Sequence, residues 1–565
     1  MHSRWRAVRT FNVACVVCAV FALCVTQPCG GSVIGSVTYA GGESVSAAAA
    51  GGGSYLHEGA VYSDSLLRTE LSRLDSLLFS YGLLAAAVTV DTVRTGERID
   101  MHVGIGEGER AVYGDVAVSG STRLQSSEIV RLLGTVAGDP FDPAALGSAM
   151  QHLLLDYNEA GYPYAQVWLT GFAYRPESNR ADLSFSVFEG DRATIADVRF
   201  DGLAKTDTAV ALRTARLRTG AVYSERAVKR SSEFLRASGL FQAVGDAEVR
   251  RGRDGTVDVV IPVTEMARSN RFQGAFGFSR KNEEEYILNG SAEVELRNIA
   301  GTARDAMFSW LNDGQDYSRV EVKYREPFLF SSPVHFDIEV QQVVQDTIYT
   351  WHSGGLYLTV PLGPDVSIVV GAAGDRNVSG AGELLRSVRQ RYRIGFERWG
   401  GNSLNVRAYL EGAYKRSYLT GGRTERDGQF LFRFEGTANI PTVRNQSVFC
   451  RLFSEAVFSP HYIPSAERYP LGGARTLRGY RENQFRGERI FFTNLEYRLG
   501  GEGRLFVFDD VGWFYRDEDG WDVKNGVGFG LRSASPLGVI ELSFGVGDRL
   551  SLEGTRIHIS LQESF

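Results

Sequence analysis

The sequence predicts a two-part chain: an α+β half of repeated β-α-α-β-β units, then a transmembrane antiparallel β-barrel of about sixteen strands. Three observations carry this. A glycine-led pattern occurs three times before residue 267. Beyond it, helical periodicity gives way to alternating segments of about ten residues. The first 31 residues read as an export signal.

The signal has a basic start at Arg4, Arg6 and Arg9, followed by residues 11–25, apolar apart from Asn12. That stretch is short for a membrane span of about 20 residues. Small residues follow around Cys29 and Ser32. Cys15, Cys18, Cys24 and Cys29 lie in this segment, and only Cys450 lies beyond it. Without the segment, the chain has no internal disulfide and no cysteine-based metal site. The eight histidines show no metal-ligand spacing, and a net charge of −6 gives no reason to expect nucleic acid. Residues 42–53, GESVSAAAAGGG, read as a flexible low-complexity insert.

Each repeat opens at a glycine, Gly59, Gly138 or Gly220, separated by 79 and 82 residues. An aromatic follows (Tyr62, Phe141, Tyr223), then a helix-capping residue (Ser63, Asp142, Ser224). Each helix closes at a glycine, Gly82, Gly161 or Gly239, suited to a left-handed cap. Apolar residues recur at helical spacing, as in Leu67, Leu71, Leu74 and Leu78. The expected boundaries are 1–31 for the signal peptide, 32–108 for a degenerate first unit carrying the insert, 109–190, 191–267, and 268–565 for the barrel.

The barrel half spans 298 residues. At roughly 18 residues per strand and connection, that accommodates about sixteen strands. In the last segment Ile557, Ile559, Leu561 and Phe565 share one face. Alternation alone does not decide whether the apolar face points inward or toward lipid. The export signal, terminal phenylalanine and aromatic content favour lipid. Residues 472–499 form an arginine- and glycine-rich loop followed by a strand. Asn494, Glu496 and Arg498 share one face of that strand, directed into the lumen. The next strand carries Asp509 and Asp510 with ambiguous parity. If the loop folds inward, Arg478 would reach Glu496 and Asp510, with Gly479 allowing a tight tip.

The repeats, notably EAGYPYAQV and FEGDRATIADVRFDG, resemble polypeptide-transport-associated (POTRA) domains. Leu477, Arg478, Gly479 and Tyr480 (LRGY) resemble the inward-loop tip of the BamA/TamA family of outer-membrane assembly barrels. Asp510 and Gly512 in FDDVG, and Glu496 in LEYRL, match its lumen-facing strand motifs. LRNIAGTARD and YREPFLF resemble its early strands. The resemblance implies a cell outer-membrane location with POTRA domains in the periplasm. It also implies unfolded outer-membrane protein clients and contact with outer-membrane lipids. No cofactor, metal or catalytic residue is implied, and Asp509 and Asp510, adjacent on a strand, point to opposite faces. Three repeats suit the TamA-like branch, for which a TamB-type periplasmic partner is implied. The other readings are a two-partner secretion exporter and a passive porin or adhesin.

Overall fold

The computed structural model describes residues 32–266, 269–280, 286–312, 317–345, 347–380, 383–401, 403–501, 503–535, 538–547 and 556–564. The expected signal peptide and Phe565 lie outside the described residues. The chain divides into two compact units. One runs to Thr194 and includes Val222–Glu225; the other holds Ile195–Ala221 and everything from Arg226 onward.

The first repeat comprises β1 (Val33–Ala40), α1 (Ala47–Gly51), α2 (Asp64–Ser80), β2 (Ala87–Thr95) and β3 (Arg98–Gly106). The second comprises β4 (Val112–Ser119), α3 (Ser126–Leu132), α4 (Pro143–Glu159), β5 (Gln166–Arg175) and β6 (Arg180–Phe188). In both, the last strand lies centrally, parallel to the opening strand and antiparallel to the other. The third comprises β7 (Thr194–Asp201), α5 (Thr208–Ala215), α6 (Glu225–Ala237), β8 (Phe241–Val244), β9 (Glu248–Arg251) and β10 (Thr256–Glu265). α6 has 13 residues against 17 in α2 and α4, so the shorter glycine spacing removes one helical turn. Ser63 and Asp142 cap their helices by accepting from Leu66 N–H and Ala145 N–H. Ser224 donates to Glu159 Oε2 at 2.7 Å. The glycines that open and close the repeats have positive φ.

The Ala/Gly stretch corrects the sequence reading. It is neither a flexible insert nor the erosion of the unit's opening half. β1 is present, and the alanines form α1 in the position α3 occupies in the second repeat. Ser46 accepts from Ala49 N–H at 3.2 Å and starts the helix. Val45 and Ala50 are fully buried with Leu74, Leu78 and Val103. Alanine is the strongest helix former, and its small side chain lets a short helix sit close to the core. Low complexity here reflects packing.

A carboxylate at the end of the last strand, or just after it, closes every repeat. Glu107 accepts from the N–H groups of Ser44 and Val45. Glu189 accepts from those of Thr122 and Arg123, both at 2.9 Å, and from the Thr122 hydroxyl. Glu265 accepts from those of Ala204, Lys205 and Thr206 at 2.7–3.0 Å. In each case the carboxylate gathers backbone donors before the shorter helix. Burial opposes the charge on Glu189, but these bonds outweigh it and hold its pKa at about 2.

The second half is a closed barrel of sixteen antiparallel strands. It runs from β11 (Arg271–Arg280) and β12 (Tyr286–Ile299) to β27 (Gly538–Val546) and β28 (Arg556–Ser564). Its faces settle the question that alternation left open. On β17 (Val366–Ser379), β18 (Leu384–Trp399) and β19 (Leu404–Leu419) the inner face carries a chain of ion pairs. Arg389 and Arg391 meet Asp375 at 2.8 and 2.9 Å, and Arg391 and Arg393 meet Glu411 at 2.7 and 2.5 Å. Tyr392, Ile394 and Leu410 face outward and are exposed. An apolar exterior around a charged interior is the arrangement of a membrane barrel. Among the described residues no helix is long and apolar enough to cross a membrane.

The third repeat and the barrel share one compact unit, so the change in sequence texture at residue 267 is not a division in packing. At the rim where β11 begins, Asp207 N–H donates to Gly301 O at 2.9 Å, and Asn298 Nδ2 to Thr206 Oγ1 at 2.9 Å. We call this the near rim.

Candidate functional site: the inward loop and the seam

The loop joins β21 (Gln446–Phe458) to β24 (Arg489–Gly500) and carries its own small hairpin, β22 (Tyr469–Leu471) with β23 (Phe485–Gly487). It lies against the inner wall. Leu471, Leu477 and Tyr480 pack with Phe453, Ile490, Phe492 and Phe514 in one buried cluster. Phe453, Ile490, Phe492 and Phe514 come from strands, so the loop docks on apolar side chains of the inner wall.

Arg478 is 6% exposed. Its Nε and Nη2 lie 2.7 Å from the two oxygens of Asp510, and its own N–H donates to Asp510 Oδ2 at 3.0 Å. Its Nη1 reaches Glu496 Oε1 at 2.7 Å, and Arg498 Nη2 reaches Glu496 Oε2 at 2.7 Å. Asp510 is fully buried on β25 (Arg504–Arg516), so two carboxylates face two guanidinium groups. Asn494 Nδ2 holds Thr476 O at 2.8 Å from the same face of β24. Leu495, Tyr497 and Leu499 point outward and are exposed.

Several participants were not legible in the sequence. Phe508 faces inward, and the Arg478 guanidinium carbon stands 3.6 Å from its ring centroid. This aromatic lumen face made the parity of β25 ambiguous. On β26 (Gly520–Ser535), a Cβ added at Gly526 would lie 1.9 Å from Arg478 O. One at Gly545 on β27 would lie 2.7 Å from Gly479 N. One at Gly512 would meet Leu471 at 2.9 Å. Glycines on three adjacent strands therefore form the seat for the tip. The runs GVGFG and FGVG signal it, because glycine in a strand marks close backbone approach. Gly479 turns the tip with φ +95°, and Tyr480 Oη donates to Asn525 O at 3.0 Å.

Further tethers hold the loop from other sides. Lys415 meets Glu467 at 2.8 Å with both side chains buried. Arg468 forks onto Glu518 at 2.6 and 2.7 Å. Arg475 reaches Glu293 on β12 at 3.1 Å, and Arg486 reaches Gln345 at 3.1 Å.

The barrel closes where β11 meets β28. Among the described residues only Arg271, Phe272, Gln273 and Gly274 pair there, opposite Ser564, Glu563, Gln562 and Leu561. By contrast, β18 and β19 pair almost end to end. In β28, Ile557, Ile559 and Leu561 stand opposite Phe544, Leu542 and Ile540 of β27. Ile557 is exposed on the outer face. Among the described residues there is no group of side chains suited to a metal ion.

Repeats on a membrane barrel with a loop locked inside it define a class of outer-membrane protein. Residues 111–190 and 193–266 match the POTRA family model, a surface antigen variable number repeat. The chain is 23% identical over 531 residues to outer membrane protein assembly factor BamA of Nitratidesulfovibrio vulgaris, covering 86% of this chain and 66% of that protein. It is 24% identical over 230 residues to BamA of Neisseria meningitidis serogroup B, covering 40% of this chain and 28% of that protein. The matched regions thus span less than two thirds of either relative. The solved structure of CdiB from Escherichia coli shares the fold, with TM-score 0.52 at 16% identity over 89% of this chain and 98% of that one. These findings make the chain similar to BamA/Omp85 outer-membrane β-barrel proteins, with POTRA repeats at residues 111–190 and 193–266.

Proposed function

We propose that this chain inserts client β-barrel proteins into the outer membrane, with its repeats in the periplasm receiving unfolded clients. The observation that carries the reading is the seam. Among the described residues, four residue pairs close a barrel whose other strands pair over most of their length. Opening such a seam exposes the backbone donors and acceptors of β11 and β28. A client strand that pairs with them enters the bilayer with its own backbone satisfied. Arg478 and its partners keep the neighbouring wall rigid while the seam yields. The work is strand exchange, with no covalent step, so Arg478, Glu496 and Asp510 act as structural groups. Three repeats favour a TamA-like role, with a TamB-type periplasmic protein as partner.

The competing reading, export of one polypeptide through the lumen, would require the loop to leave its seat. A crosslink separates the two. Gln273→Cys with Gln562→Cys, in a Cys450→Ser background, places a cysteine at each of two directly paired positions of the seam. Oxidation should stop client assembly in proteoliposomes, and reduction should restore it. Assembly that continues through a locked seam would refute the insertion reading. A secreted polypeptide that still crosses the locked barrel would support export.

A further inference from the structure

The repeat next to the barrel carries a cationic cluster that strand exchange does not use. Arg216 ends α5 in a left-handed conformation, with φ 56°. Its guanidinium carbon lies 4.0 Å from the Phe234 ring centroid, and that of Arg230 lies 5.9 Å from the same ring. Burial and then the charge of Arg230 push the Arg216 guanidinium below its ordinary pKa. Arg213 and Arg218 flank Arg216 and are exposed. Arg216 Nη2 donates to the neutral carbonyl of Pro361 at 3.2 Å, which fixes the cluster at the near rim.

The same rim carries a second anomaly. The turn between β14 (Tyr317–Glu326) and β15 (His335–Gln345) holds Phe328, Phe330 and Ser331 at φ 55°, 50° and 64°. Bulky residues in this region cost backbone energy. Phe330 is 94% exposed, so no contact within the chain compensates. In the next turn on that rim, Leu362 is 55% exposed. Both turns end membrane-spanning strands, at the depth where aromatic side chains meet headgroups.

We propose that this edge of the near rim is a docking surface for the bilayer. Phe330 and Leu362 enter the headgroup layer, and Arg213, Arg216, Arg218 and Arg230 hold the phosphates of anionic phospholipids. Guanidinium groups fork onto phosphate, and like-charged arginines gathered on one ring gain most from an anion between them. The bilayer fits better than a protein partner because the outer apolar belt already fixes the rim at headgroup depth. Docking would pin the third repeat to the membrane surface on the side of β14 to β17, leaving the seam free.

The test uses the full chain in nanodiscs of phosphatidylcholine, with and without phosphatidylglycerol. Retained lipid is read by native mass spectrometry, and amide exchange is followed in residues 327–334. Wild type should retain phosphatidylglycerol preferentially, and added salt should weaken the preference. Arg218→Glu with Arg230→Glu should lower it by at least about 25-fold, taking roughly fivefold for each arginine lost. Phe330→Asn keeps a residue that tolerates the left-handed backbone, so the barrel should fold. Its turn should exchange faster than wild type in the bilayer but equally in detergent. Unchanged phosphatidylglycerol retention in the double arginine variant would overturn the proposal. So would equal protection of the turn in detergent and bilayer, or loss of the preference to inorganic phosphate, which would indicate a free-anion site. Impaired assembly in cells with lipid retention intact would assign the cluster to a protein partner and also overturn it.

Discussion

Arg478 and Glu189 both fasten a loop with a buried charge, and they do so in opposite ways. Arg478 rides on the loop and reaches two carboxylates on strands 18 and 32 residues further along the chain. Glu189 stands at the end of a strand and collects backbone N–H groups from a turn. The barrel lock therefore depends on particular partner side chains, and removing one leaves the others charged and buried. The repeat clasp depends on backbone donors that every sequence supplies, so only the carboxylate must be retained. The first is specific and brittle; the second tolerates change around it but responds to acid.

The sharpest way to break this contrast is Arg478→Ala. Removing one member of a desolvated ion pair costs about 3–5 kcal/mol, and a partly hydrated lumen places the expected loss near the lower end. Denaturant unfolding in detergent, read by heat-modifiable migration, measures it. A double-mutant cycle with Glu496→Ala should give a coupling above about 0.5 kcal/mol, and strict additivity would show that the pair does not act together.

Gly526→Ala should come next, at about 1–3 kcal/mol, because its Cβ would collide with Arg478 O. Gly412→Ala is the control. A Cβ there meets nothing within 4 Å, so stability should stay within about 0.5 kcal/mol. Equal effects at the two glycines would remove the seat from the description of the lock.

The clasp is probed by pH. The Glu189 pKa is lowered, so its contribution is complete above the ordinary carboxylate range and fades as pH falls toward about 2. Amides of residues 121–124 should lose exchange protection over that acid window in wild type. Glu189→Gln should start less protected, by about 1–3 kcal/mol, and show no such titration. An unchanged acid response in the variant would mean that another group closes the repeat.

The smallest effects concern the remaining arginines of the loop. Arg481 is exposed, and Arg481→Ala should stay within about 0.5 kcal/mol. From sequence, Arg486 belongs in the same class. The structure gives it Gln345 and a place 5.7 Å from the Tyr349 ring, so Arg486→Ala should cost about 0.5–1.5 kcal/mol. Matched unfolding curves for the two variants would return Arg486 to the background.

What was legible followed from periodicity. Glycine spacing revealed the repeats, and the alternation of Asn494, Glu496 and Arg498 gave the inward face of β24. What was hidden had no period of its own. Phe506 and Phe508 leave the parity of their strand ambiguous in sequence, and they line the lumen beneath Arg478. The glycine seat is assembled from three strands and shows only when they are side by side. Glu107, Glu189 and Glu265 recur with the repeats, but a carboxylate at or just after the end of a strand reads as a solvated terminus until its donors are placed. Alanine-rich α1 was misread because composition measures variety, and a short helix pressed against a core needs little of it.

The joints between repeats are built from backbone. Ala111 N–H donates to Gly82 O at 2.9 Å, and Ala193 N–H to Gly161 O at 2.7 Å, so the helix-closing glycine of one repeat receives the opening strand of the next. At the second joint Ser224 Oγ also donates to Glu159 Oε2, but the handover itself runs through main-chain atoms. A duplicated copy would meet its neighbours through the same two atoms, and a deleted one would leave matching ends. The number of repeats is thus free to drift by whole units during descent, while the barrel, whose lock is spelled in individual side chains, must be inherited intact.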